Sequence, residues 1–123
     1  MHGSERAFRD LVDDLPDLVC RFTPDGTLLY VNRAYADYFG RSREELRGVN
    51  FLSLVPSDTL PDAVAALHRI AELSPARPTR LSEHRGGDRE DGSRWQEWVD
   101  KAIFDDVGKL VDLLAVGRDI TDR

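Results

Sequence analysis

DGSRWQEWVDKAIFDDVGKLVDLLAVGRDITDR, from Asp91 to Arg123, is the stretch that decides the fold. It holds two long apolar-rich runs, Arg94 to Phe104 and Lys109 to Ile120, set off by Asp91-Gly92 and Asp106-Val107-Gly108. Gly accepts positive φ without steric cost and Asp bonds its own nearby backbone, so these breaks predict turns and the runs predict a hairpin of two strands. In the second run Leu110, Leu114, Val116 and Ile120 occupy even positions and Val111, Leu113 and Ala115 odd ones, so neither alternate set is polar. A strand apolar on both sides calls for cover on both faces, which places this hairpin inside a sheet.

The upstream chain supplies the cover. Phe8, Leu11, Val12 and Leu15 fall at helical spacing between Ser4, which can cap a helix, and Pro16, predicting an amphipathic N-terminal helix. Asp17 to Phe22 and Thr27 to Val31 predict two strands joined by the turn Thr23-Pro24-Asp25-Gly26. Asn32 is a good cap for a short helix closed by Gly40, and Ser42 with Glu45 has capping-box spacing for another that ends at Gly48. Phe51 to Val55 predicts a single helical turn. Ser57 or Asp58 then caps a longer helix through Glu72, with Leu60, Ala63, Val64, Leu67, Ile70 and Ala71 on one face. A strand from about Thr79 to Arg85 follows. Grouped rather than alternating elements argue for an α+β fold with an antiparallel sheet.

At 123 residues, 41% hydrophobic and 33% charged, the chain suits one globular domain. No run approaches the roughly 20 apolar residues of a membrane helix, so a cytoplasmic domain without membrane contact is expected. The 17 basic and 23 acidic residues give a net charge of −6, which argues against nucleic acid. Arg41, Arg43 and Arg47 cluster, but Glu44 and Glu45 sit among them, as on a solvated helix face. The single cysteine, Cys20, between apolar neighbours, is expected to be buried and inert.

The element order, together with Pro24-Asp25-Gly26 before Tyr30-Val31-Asn32, then Phe39-Gly40, Glu44-Glu45-Leu46-Arg47-Gly48, Asp91-Gly92-Ser93-Arg94-Trp95 and Gly117-Arg118-Asp119-Ile120-Thr121, resembles the PAS domain family of the bacterial sensory-box type. The resemblance implies a five-stranded antiparallel sheet with short helices on one face, enclosing a small-molecule pocket. The domain is expected over residues 16–123, behind an N-terminal helix over 1–15. It further implies a non-catalytic sensor that relays a change to a C-terminal output domain such as a histidine kinase or nucleotide cyclase. In such proteins the Asp-Ile-Thr segment enters a signalling helix, so Arg118, Asp119, Ile120 and Thr121 are the expected relay.

Flavin adduct formation in this family needs a cysteine after the Asn of Gly-x-Asn-Cys, and Gly48-Val49-Asn50 is followed here by Phe51. Haem would look to His68, which falls roughly 100° from the apolar stripe of its helix and so near the rim. His84 and His2 have no metal-ligand spacing, and Gly86-Gly87-Asp88 is expected in a hairpin loop. No cofactor is therefore assigned. Trp95 and Trp98, three apart on one strand, are expected on opposite faces. Apolar or aromatic residues on elements facing the pocket give Tyr30, Tyr35, Phe39, Phe51, Leu54, Val64, Leu67 and Leu114 as its expected lining. The alternative is a filled core in a dimerisation and relay module, paired as a homodimer through Phe8, Leu11, Val12 and Leu15.

Overall fold

In the computed structural model, which describes residues 2–85 and 95–119, the two long runs form β4 (Trp95–Phe104) and β5 (Leu110–Asp119). They pair antiparallel from Gln96 opposite Asp119 to Phe104 opposite Leu110. With β1 (Leu18–Phe22), β2 (Leu28–Val31) and β3 (Thr79–Arg85) they build one antiparallel sheet in the order β2-β1-β5-β4-β3. β5 is the central strand and β4 its inner neighbour, as the apolar pattern requires.

β2 and β3 lie on opposite edges, and the chain between them crosses one face of the sheet as α2 (Arg33–Phe39), α3 (Arg43–Leu46), a 3-10 turn (Phe51–Leu54) and α4 (Leu60–Ile70). Local chemistry sets these boundaries. Asn32 caps α2 by accepting from the Tyr35 amide, and Gly40 closes it at φ 66°. Ser42 and Glu45 form the reciprocal capping box of α3. Two helix starts differ from the sequence expectation. Thr59, not Ser57 or Asp58, precedes α4, and its hydroxyl bonds the Pro56 carbonyl instead of capping the helix. The N-terminal helix α1 runs from His2 to Asp13, so Ser4 lies within it.

The core lies between the sheet and α2–α4. Leu18, Cys20 and Phe22 of β1 and Leu113 and Ala115 of β5 meet Tyr35, Leu46, Leu67 and Ile70 there. A β-bulge settles the two-sided pattern of β5. Ile103 pairs with Asp112 but Phe104 with Leu110, which leaves Val111 as the extra residue and brings Leu110 to the side of Leu113 and Ala115. Val111 is exposed as a result, as is Leu29 at the corresponding irregularity of β2.

Cover on the second face is less complete than the apolar pattern demands. Leu114 and Val116 are half-buried there, and Val99 and Leu81 are exposed. On that face Arg21 Nη2 approaches Asp112 Oδ2 at 2.9 Å across the β1–β5 pair. α1 buries Val12 but leaves Phe8 and Leu11 exposed, Leu11 at 65%, and Leu15 just beyond the helix is exposed too.

One side chain ties α1 to the rest. Asn32 is fully buried, and its Oδ1 accepts from the Val19 and Tyr35 amides at 3.1 and 3.0 Å. Its Nδ2 donates to the carbonyls of Val12 and Asp17 at 2.8 and 2.9 Å. The sequence showed it only as a cap.

Candidate functional site

Small residues open a cavity of about 100 Å³ in the core. On the sheet, Ala115 pairs with both Cys20 and Asp100, so a row of short side chains forms the floor. Ala63 and Ala66 of α4 line the roof together with Leu67 and Ile70. Tyr35 and Phe39 of α2, and Phe51, Leu54, Val55 and Pro56 around the 3-10 turn, close the sides. Tyr35 and Phe39 pack with ring centroids 4.8 Å apart, and Phe51 meets Phe22 edge to face at 5.0 Å.

β4 supplies the polar part of the wall. Gln96, Trp98 and Asp100 alternate along the strand, and all three line the cavity. Trp98 lies across Gly117, its register partner on β5, where an added Cβ would sit 2.6 Å from the indole. The indole Nε1–H donates to Gln96 Oε1 at 2.9 Å. Burial pushes the Cys20 thiol up, helped by the Asp100 charge, so it is a poor nucleophile. Burial likewise holds the Tyr35 hydroxyl neutral, with Cys20 beside it.

Asp100 is 6% exposed, and burial pushes its carboxyl up to about 6 against the opposing charge of Arg80. A carboxyl raised above its unfolded value of 3.8 stabilises the fold below about pH 4, and that contribution is lost as the pH rises through about 6. Asp100→Asn should therefore raise stability by about 2 kcal/mol near neutral pH and change it little near pH 4. Urea unfolding at the two pH values checks this, and an equal effect at both would count against it.

The matches to known proteins agree with this geometry. A family profile described as "PAS fold" covers residues 12–123. The chain belongs to the PAS family. This PAS domain is 35% identical over 118 residues to the two-component sensor PprA of Pseudomonas aeruginosa, a match that takes in 96% of this chain and 12% of that protein. Among solved structures it resembles a PAS domain from Colwellia psychrerythraea, with a TM-score of 0.78, 21% identity and full coverage of both chains. A domain of a sensory box sensor histidine kinase/response regulator from Geobacter sulfurreducens superposes with a TM-score of 0.69 at 21% identity, covering 96% of each chain.

Of the residues expected to line the pocket, the PAS domain brings Tyr35, Phe39, Phe51, Leu54 and Leu67 together around the cavity. Tyr30, Val64 and Leu114 are not part of its lining. Tyr30 pairs with Arg21, and its hydroxyl donates to Asp13 at 2.8 Å beside α1. Leu114 alternates with the inward Leu113 and Ala115 and so points away, which the doubly apolar pattern of β5 concealed. Val64 is one residue round α4 from the buried Ala63. The pattern missed Gln96 and Asp100, whose polarity suggested solvent. Their spacing from Trp98 was the available signal.

Trp98 is the tryptophan that faces the cavity; the Trp95 side chain lies outside the described residues. His68 is exposed on α4 and is not part of the lining. Asn50 of the Gly48-Val49-Asn50 segment caps the 3-10 turn and donates to the Asp25 carbonyl. Arg118, on the strand that leaves the sheet, meets Glu97 at 3.4 Å across the β4–β5 pair. Ile120, Thr121, the His84 side chain and the Gly86-Gly87-Asp88 segment, expected as a hairpin loop, lie outside what the structure describes. No helix among the described residues is long and apolar enough to cross a membrane.

Proposed function

We propose that this PAS domain is a non-catalytic, cytoplasmic sensor input that binds a small molecule and passes the change to a C-terminal output domain, with a histidine kinase the first choice. The observation that carries this is the position of the cavity. Its wall residues Trp98 and Gln96 pair in register with Gly117 and Asp119, the last described residues of β5 around Arg118. A ligand that moves Trp98 therefore acts directly on the strand from which the relay residues Arg118, Asp119, Ile120 and Thr121 lead out. The two-component sensor among its relatives supports the choice of output, although this chain corresponds to only 12% of that protein.

A second role, as a homodimeric relay, draws support from exposed Phe8 and Leu11 on α1 with Leu15 just beyond it, and from exposed Leu81 and Val99 on the sheet. Native mass spectrometry of protein purified from its own host reads both roles. A retained small molecule that Ala66→Phe displaces is the expected result for the sensor. A dimer mass that falls to monomer when Phe8 and Leu11 are both changed to Ser is expected for the relay. A dimer that holds no small molecule would leave only the relay, and a ligand-bound monomer only the sensor.

A further inference from the structure

Two polar side chains in the cavity wall keep hydrogen-bonding capacity that the described residues do not use. Gln96 is 5% exposed, and its orientation is fixed because the Trp98 indole can only donate and therefore takes Oε1. The Nε2 group is left buried without a hydrogen-bond partner. Two residues beyond Trp98, the Asp100 carboxylate faces the same cavity, and among the described residues no hydrogen bond or ion pair within the protein reaches it. Its cross-strand neighbour Arg80 acts on it only through its charge, and the Arg80 guanidinium donates to the Ala66 carbonyl at 3.5 Å. The other titratable groups at the cavity, Cys20 and Tyr35, interact with each other. Buried polar groups are normally satisfied, and the cost of leaving them unmet is recovered when a ligand supplies the missing partners.

From this arrangement we infer that the cavity selects a compact nitrogenous molecule that presents an N–H donor to Asp100 and a hydrogen-bond acceptor to Gln96, with an apolar frame against Phe39, Phe51 and Leu67. This rests on the cavity being a ligand site. The acid on the wall disfavours carboxylate and phosphate ligands, since a second anion would meet an unpaired charge in a poorly solvated space. The volume sets the scale. A dry cavity of about 150 Å³ holds benzene, so about 100 Å³ suits a five-membered ring.

Three rings of nearly one shape test the inference: pyrrolidinone, which donates and accepts; cyclopentanone, which only accepts; and cyclopentane, which does neither. On nitrogen-labelled protein, pyrrolidinone and cyclopentanone should shift the Gln96 side-chain amide resonance, assigned by its loss in Gln96→Leu, and cyclopentane should not. Asp100→Leu should weaken pyrrolidinone about tenfold and the other two less than about twofold, whereas Gln96→Leu should weaken both carbonyl compounds about tenfold and spare cyclopentane. If the rings bind but the variants weaken all three alike or none, the polar selection is overturned and the cavity remains a ligand site. If wild-type protein takes up none of the three, the selection and the ligand site both fall.

Discussion

Asn32→Leu should lower the unfolding free energy by about 4 kcal/mol, near the upper end for a single substitution. Leu keeps the branching of Asn but removes its polar atoms, and its greater bulk adds crowding at this fully buried site to the lost hydrogen bonds. The change strands the Val19 and Tyr35 amides and the Asp17 carbonyl, and takes one of two donors from the Val12 carbonyl, which keeps the Leu15 amide. A buried group left unmet costs about 1–3 kcal/mol, with part of that recovered where relaxation admits water. For a chain of this size the midpoint of thermal unfolding should fall by roughly 15 °C. Asn32→Ser separates two accounts of the residue. Ser is a good cap, so if Asn32 served only α2 the Ser variant would be nearly as stable as wild type. If Asn32 is the tie that holds the end of α1, the entry to β1 and the start of α2 together, Ser should recover less than half of the loss. Calorimetry and urea unfolding of both variants decide between them, and a loss below about 1 kcal/mol for Leu would refute the tie.

What the sequence disclosed and what it hid follow from the range of the interactions. The closing hairpin, the Gly40 cap and the Ser42–Glu45 box are local, so residue type and spacing were enough to place them. The bulge at Val111 was hidden because every residue around it is apolar. Where Val, Leu and Leu follow one another, a one-residue change of register leaves no trace in the pattern, although it decides which of them meets the core. The same ambiguity put Leu114 among the expected cavity residues. Gln96 and Asp100 were hidden for the opposite reason, since polarity usually marks a solvent-facing position and here marks the wall of a cavity. The long-range role of Asn32 depends on partners 13 to 20 residues away, beyond the reach of any local signature.

Gly117→Ala should cost about 3 kcal/mol, because a methyl group there would sit within 2.7 Å of three atoms of the Trp98 ring. No backbone torsion is at issue: Gly117 is an ordinary β5 residue, and the constraint is the close approach of the indole. The indole cannot retreat freely, since Tyr35 packs against it with centroids 6.3 Å apart and its Nε1–H is held by Gln96. Two measurements separate this collision from a general weakening of β5. In a double-mutant cycle with Trp98→Leu, Gly117→Ala should become nearly neutral, giving a coupling of about 2 kcal/mol. Independent costs that simply add would show that the ring does not press on the glycine. In the single variant the indole is driven off β5 toward the cavity, so ligand uptake should fall along with stability even at temperatures where the protein remains folded. The same contact is what the proposed sensor role would use. With no side chain between them, movement of Trp98 on the cavity side is felt directly by the backbone one residue before Arg118.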